Sequence, residues 1–162
     1  MILPAQLIRA RSHMIEPFHE RTRLHGMTFG LSPAGYDVRI AEEVIVQPGN
    51  HFVILASTIE RFTFPTNILG RLCDKSSWAR LGLLVQNTVM EPGWRGHLTL
   101  ELTYHGRNLL RIPAGSPIGQ VIFEMLAEHT EQPYEGKYQD QKAGPQPAIH
   151  EGWVDHPMAG SL

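Results

Sequence analysis

The sequence predicts an all-β fold of the sandwich or jelly-roll kind, and three observations predict it. From Tyr36 onward the chain runs as short β-prone segments broken by turn residues at frequent intervals. One segment, His97–Tyr104, alternates cleanly, with Leu98, Leu100 and Leu102 on one face and Thr99, Glu101 and Thr103 on the other. Helical patterning is confined to two short stretches, residues 3–11 around Leu7 and Ile8 and Ser76–Leu83.

The elements follow in order. After the N-terminal helix, Tyr36–Ile40, Glu43–Val46 and Phe52–Ile59 read as strands, with Gln47-Pro-Gly-Asn50 as a turn between two of them. Arg61–Phe64 and Ile68–Leu72 are further strands. Asp74 or Ser76 is placed to cap the helix Ser76–Leu83, and Gly82 to end it. Val85–Met90 leads to the turn Glu91-Pro-Gly-Trp-Arg-Gly96. His97–Tyr104, the turn His105-Gly-Arg-Asn108, Leu109–Ile112 and Ile118–Leu126 complete the set. Residues 127–162 are rich in Gln, Pro, Gly, Glu and His and poor in core formers. They predict an extended, partly disordered tail, too polar to pack on its own subunit. The chain therefore divides into a core over 1–126 and a tail over 127–162 of the same domain.

Composition narrows the function classes. The 162 residues suit one domain and suffice for a core without staples. A net charge of -2 offers no broad basic field for a nucleic acid polymer, while a small anion needs only a local cluster. The single cysteine, Cys73, excludes a disulfide within the chain and fits a reducing cytoplasm. No stretch resembles a signal peptide or a membrane span. Zinc deaminases need a P-C-x-x-C pair with a further His or Cys ligand. That pair is absent, and the nine histidines are scattered, so the chain lacks the signature of that zinc class.

Four segments carry groups able to do chemistry. Asp74-Lys-Ser-Ser-Trp-Ala-Arg80 sets two cations and two hydroxyls beside a predicted helix start, where free N–H groups suit phosphate; a capped, solvated surface helix reads the same way. Glu101 is either a solvated carboxylate on the polar face of its strand or a proton-transfer group in a cleft. Glu91 begins a Pro-Gly turn. Pro133-Tyr-Glu-Gly-Lys-Tyr-Gln-Asp-Gln141 is a linker or a segment that closes over a ligand.

Taken in order, Ser76-Ser-Trp-Ala-Arg-Leu-Gly82, Glu91-Pro-Gly-Trp94, Leu98-Thr-Leu-Glu-Leu102, Ile118-Gly-Gln120 and Tyr134…Lys137-Tyr138…Gln141 resemble the dCTP deaminase/dUTPase family, as do Gly35-Tyr-Asp-Val-Arg39 and Leu55-Ala-Ser-Thr-Ile-Glu60. The resemblance covers most of residues 1–149. It implies a distorted jelly-roll β-barrel with a few short helices, assembled as a homotrimer with active sites at subunit interfaces. It implies dCTP or dUTP as substrate, with Mg²⁺ bound through the triphosphate rather than by a protein cage. Carried over by position, Glu101, Arg80 and Ser76 are catalytic. Lys75, Ser76, Ser77 and Arg80 hold phosphates, Thr99 and Leu100 line the base and sugar pocket, and Glu91 lies near the sugar. Gln120 belongs to the nucleotide site, and Tyr134, Lys137 and Gln141 belong to a lid over the triphosphate. Zinc-independent deamination of dCTP to dUTP is the activity implied, with dUTPase or bifunctional action as the alternative and a non-catalytic nucleotide sensor as a third. Lys75 stands where the family's deaminases usually carry Arg, and Gln86–Glu91 is about two residues shorter than the matching stretch.

Overall fold

Two antiparallel ladders organise the chain, each built around one long strand near its centre. The structure is a computed structural model, and it describes residues 1–50 and 52–150; the end of the predicted tail, 151–162, lies outside them. In chain order the elements are α1 (Ala5–Arg9), a 3₁₀ turn (Ser12–Met14), β1 (Ile15–Glu16), β2 (Thr22–Leu24), β3 (Met27–Ser32), β4 (Gly35–Arg39), β5 (Val44–Val46), β6 (Ile54–Thr63), β7 (Ile68–Asp74), α2 (Ser76–Ala79), β8 (Leu83–Val85), β9 (Val89–Met90), β10 (Arg95–Tyr104), β11 (Leu110–Ile112) and β12 (Pro117–Met125).

One sheet has the order β1-β6-β10-β8 and the other β2-β3-β4-β12-β7-β9, while β5 and β11 form a separate pair. The alternation read in 97–104 is realised in β10, which begins two residues earlier, at Arg95, and carries a register shift against β6 between His97 and Thr99. Leu98, Leu100 and Leu102 turn into the core. There, Phe62 of β6 stacks on Phe64, which stacks on Phe123 of β12 at 5.8 Å and meets Trp94 at 6.4 Å. Aromatic contacts thus join the two sheets, and burial of such rings is the main term holding them face to face.

Several expectations are corrected. Among the described residues no ladder closes the sheets into a barrel, because β5 and β11 pair only with each other and β9 is two residues long. Residues 54–63 form one continuous strand rather than two. Val85–Met90 splits instead into β8 and β9. The strands β1–β3 were not legible, because Glu16, Glu20, Arg21 and Arg23 interrupt any alternation there. The N-terminal helix is shorter than residues 3–11, and α2 spans four residues rather than eight. Lys75, not Asp74 or Ser76, is the N-cap of α2, without a side-chain bond. The Asp74 carboxylate accepts instead from the Val85 N–H at 2.8 Å, tying β7 to β8. Gly82, at φ +94°, lies so close to Gly106 that a Cβ would sit 2.6 Å from the Gly106 nitrogen, which fixes glycine there.

The largest correction concerns the tail. Residues 127–150 do pack on their own subunit, through many hydrogen bonds and with Tyr134 laid against the hydrophobic core. The Trp94 indole donates to the Tyr138 carbonyl at 2.7 Å, and Arg95 grips Asp140 with two bonds of 2.6 and 2.8 Å. Gln141 bridges Gly96, and the His97 N–H donates to the Gln141 carbonyl at 2.9 Å.

Candidate active site

The docked tail and the middle of β10 enclose a cavity of about 300 Å³. Leu98, Thr99 and Glu101 of β10 form its floor. Thr88 to Glu91 and Trp94 make one wall, and Leu55 of β6 contributes at the edge. The roof comes from the tail, through Tyr134, Tyr138, Gln141 and the segment Gln146-Pro147-Ala148. The cavity is mostly apolar with a few polar groups converging in it, which is the usual make-up of a small-molecule site.

Glu101 is half-buried, and no ion pair or side-chain hydrogen bond to its carboxylate exists among the described residues. Burial pushes its proton affinity above the ordinary carboxylate range, opposed only by its own backbone N–H. A carboxyl group whose charged form is disfavoured by burial is suited to take up and return a proton. Thr99, two residues earlier on the same face, is buried, and its hydroxyl oxygen accepts from the Gln146 N–H at 3.1 Å. Glu91 is exposed at the cavity rim.

Of the residues singled out in the sequence, the structure brings Glu91, Thr99, Glu101, Tyr134 and Gln141 to this cavity. Leu100 is not among them. Its side chain is fully buried in the core. Lys75, Ser76, Ser77, Arg80 and Gln120 also lie outside it. The Lys75 ammonium sits 2.9 Å from the Asp37 carboxylate, and Gln120 donates to the Ser32 hydroxyl at 2.8 Å. Ser76, Ser77 and Arg80 are exposed. With four residues, α2 is too short to offer the dipole assigned to its start, so phosphate contacts there fall to side chains. Lys137 is held by the Ile149 carbonyl and lies 5.4 Å from the Tyr138 ring centre. The sequence reading missed Trp94 and Tyr138 as lining residues although both lie in quoted segments. It missed Gln146, Pro147 and Ala148 altogether, for which no pattern gave a signal.

Among the described residues no three His, Cys, Asp or Glu side chains gather where they could hold a metal ion. A Mg²⁺ carried by a triphosphate requires no such cage. No helix among them is long and apolar enough to cross a membrane. The deepest charge pair lies apart from the cavity. Glu60, fully buried, accepts from the Arg39 Nε at 2.7 Å and the Arg39 N–H at 2.9 Å, while Arg39 stacks over Phe29. Beside this pair, burial raises the Tyr36 hydroxyl to about 12.

Comparison with known proteins accords with this architecture. The chain is 34% identical to a dCTP deaminase of Campylobacter hominis, over 88% of this chain and 91% of that protein. It is 35% identical to a dCTP deaminase of Pseudomonas savastanoi pv. phaseolicola, over 82% and 90%. Its fold is similar to that of the dCTP deaminase from Agrobacterium tumefaciens, with a TM-score of 0.61 at 16% identity over 76% of this chain and 47% of that one. It is similar too to the EIAV dUTPase, with a TM-score of 0.55 at 19% identity over 76% and 98%. The family model for dCTP deaminase-like domains matches residues 35–126, more than half of the chain, and the protein belongs to that family.

Proposed function

We propose that the protein is a hydrolytic deaminase that converts dCTP to dUTP and ammonia. The observation that carries this reading is Glu101, a half-buried carboxyl with raised proton affinity and no ion partner among the described residues, on the floor of a cavity of about 300 Å³. Glu101 takes a proton from water as the oxygen bonds to cytosine C4 and passes it to N3. It then takes the proton of the new C4 hydroxyl and hands it to the 4-amino group, which leaves as ammonia as C4 becomes a carbonyl. A carboxylate acting as base and then acid contributes about 10²–10⁴-fold in rate.

In a homotrimer of jelly-roll subunits, Ser76 and Arg80 of one subunit would meet the cavity of its neighbour, position the water and stabilise the charged intermediate. The support is that both are exposed and absent from the cavity of their own subunit. Lys75 and Ser77 would face the triphosphate beside them, Lys75 exchanging Asp37 for phosphate. Gln120, paired with Ser32, serves that wall from behind, and Tyr134, Lys137 and Gln141 act from the tail. Mg²⁺ bound to the triphosphate, when present, neutralises and orients it. Zinc has no part in the step, and the free Cys73 suits a reducing cytoplasm.

Glu91 favours a second reading, dUTPase or bifunctional action, because it borders the same cavity as Glu101 and could activate water toward the α-phosphate. One assay separates these. With dCTP and Mg²⁺ the expected products are dUTP and ammonia, with activity that survives zinc chelation and is lost without Mg²⁺. Cleavage of dUTP to dUMP and pyrophosphate with dCTP untouched would replace the deaminase reading by the dUTPase one, and binding without turnover would indicate a nucleotide sensor.

A further inference from the structure

Resting on the reading of the cavity as the nucleotide base site, we propose that Gln146 is a specificity residue that selects a pyrimidine carrying a 4-amino group over one carrying a 4-carbonyl. Gln146 lines the same cavity as Thr99 and Glu101. Two bonds fix it there. Its backbone N–H donates to the Thr99 hydroxyl at 3.1 Å, pinning the tail to the strand that bears Glu101. Its side-chain Nε2 donates to the Gly144 carbonyl at 3.1 Å.

The second bond decides the chemistry. A carbonyl oxygen only accepts, so the amide must give Gly144 its nitrogen and cannot flip without losing the bond. Oε1 is thereby left as an acceptor, with no partner among the described residues, on a side chain lining the cavity. An acceptor held beside a pyrimidine ring bonds an exocyclic amine and repels an exocyclic carbonyl. Glu101 must lie near C4 and N3 to move protons there, and of the two amides that share its cavity, Gln141 and Gln146, it is Gln146 whose side-chain nitrogen is committed to a carbonyl. Pro147 and Ala148, the lining residues that follow, supply no competing side-chain donor or acceptor. Substrate selection and product release then share one cause, because the reaction turns the amine that Oε1 favours into the carbonyl it disfavours.

The test uses the full chain and measures dissociation constants for dCTP and dUTP by calorimetry with Mg²⁺, for the wild type and for Gln146→Met, which keeps length and shape and removes both amide groups. The wild type is expected to bind dCTP at least about tenfold more tightly than dUTP, the size of one well-made hydrogen bond set against an unpaired one, and Gln146→Met is expected to bring the ratio to within about threefold of unity. If the substitution merely loosens the tail, both nucleotides weaken together and the ratio stands. An unchanged ratio, whether or not the affinities fall, overturns the proposal. Because binding is measured rather than turnover, an inactive wild type that still discriminates would sink the deaminase reading while leaving this one standing.

Discussion

Glu101→Gln removes the proposed proton carrier while keeping its shape, and its consequences can be worked from the site. No ion pair or side-chain hydrogen bond to this carboxylate exists among the described residues, so the substitution strands no partner and should leave folding intact. Loss of a general base is worth about 10²–10⁴-fold, about 2.7–5.5 kcal/mol of barrier, so ammonia release in a single turnover should fall at least about a hundredfold. dCTP affinity should stay within about tenfold. Burial raises the folded-state proton affinity of Glu101, so the unfolded chain loses this proton at lower pH than the native protein does. The stability attached to Glu101 is therefore fully present below the ordinary carboxylate range and lost as pH rises through the raised value. Urea titrations should show Glu101→Gln gaining on the wild type across that window, and the acid limb of wild-type kcat/KM should lie above the ordinary carboxylate value. A variant that keeps most of its rate would refute the mechanism.

Glu60→Ala should lower stability by about 3–5 kcal/mol in urea unfolding, because Arg39 would be left largely buried without its carboxylate; a loss under about 1 kcal/mol would show that the site relaxes. Truncation before Gln132 should raise the KM for dCTP strongly, since charge-assisted contacts from Lys137 and its neighbours are worth about 1.5–3 kcal/mol each, and should red-shift Trp94 fluorescence as the tail lifts away; an unchanged KM would make the tail inert. Light scattering at micromolar concentration should give a trimer, and a monomer would remove the route by which Ser76 and Arg80 reach a cavity.

How much could be read in advance depended on which force held each part. The alternation of Leu98, Leu100 and Leu102 was legible because a period of two with one buried face has a single structural solution, and it set Glu101 on the face opposite Leu100 and Leu102. The tail misled because, Tyr134 apart, its docking is largely polar. Trp94 to Tyr138, Arg95 to Asp140 and His97 to Gln141 involve backbone and charged groups that a hydrophobic pattern does not register. The helix at Ser76 was overdrawn because Asp74 and Ser76 are good caps in isolation, whereas Asp74 spends its carboxylate on Val85. Gln146 was invisible for the same reason as the tail, since its position follows from hydrogen bonds to Thr99 and Gly144.

The docked tail has one more consequence, and it concerns the open side of a sheet. β8 covers β10 only from Leu102 to Tyr104, so the half of the strand before Glu101 would present bare N–H and carbonyl groups on that side. The tail fills those positions in turn. The side chain of Gln139 takes the Arg95 N–H, Asp140 donates to the Arg95 carbonyl, and Gln141 takes the His97 N–H. An unpaired strand half of this kind is a template for another chain. The segment that roofs the cavity therefore also acts as a guard against edge-to-edge association, and a protein deprived of it should clump at concentrations where the intact chain stays dispersed.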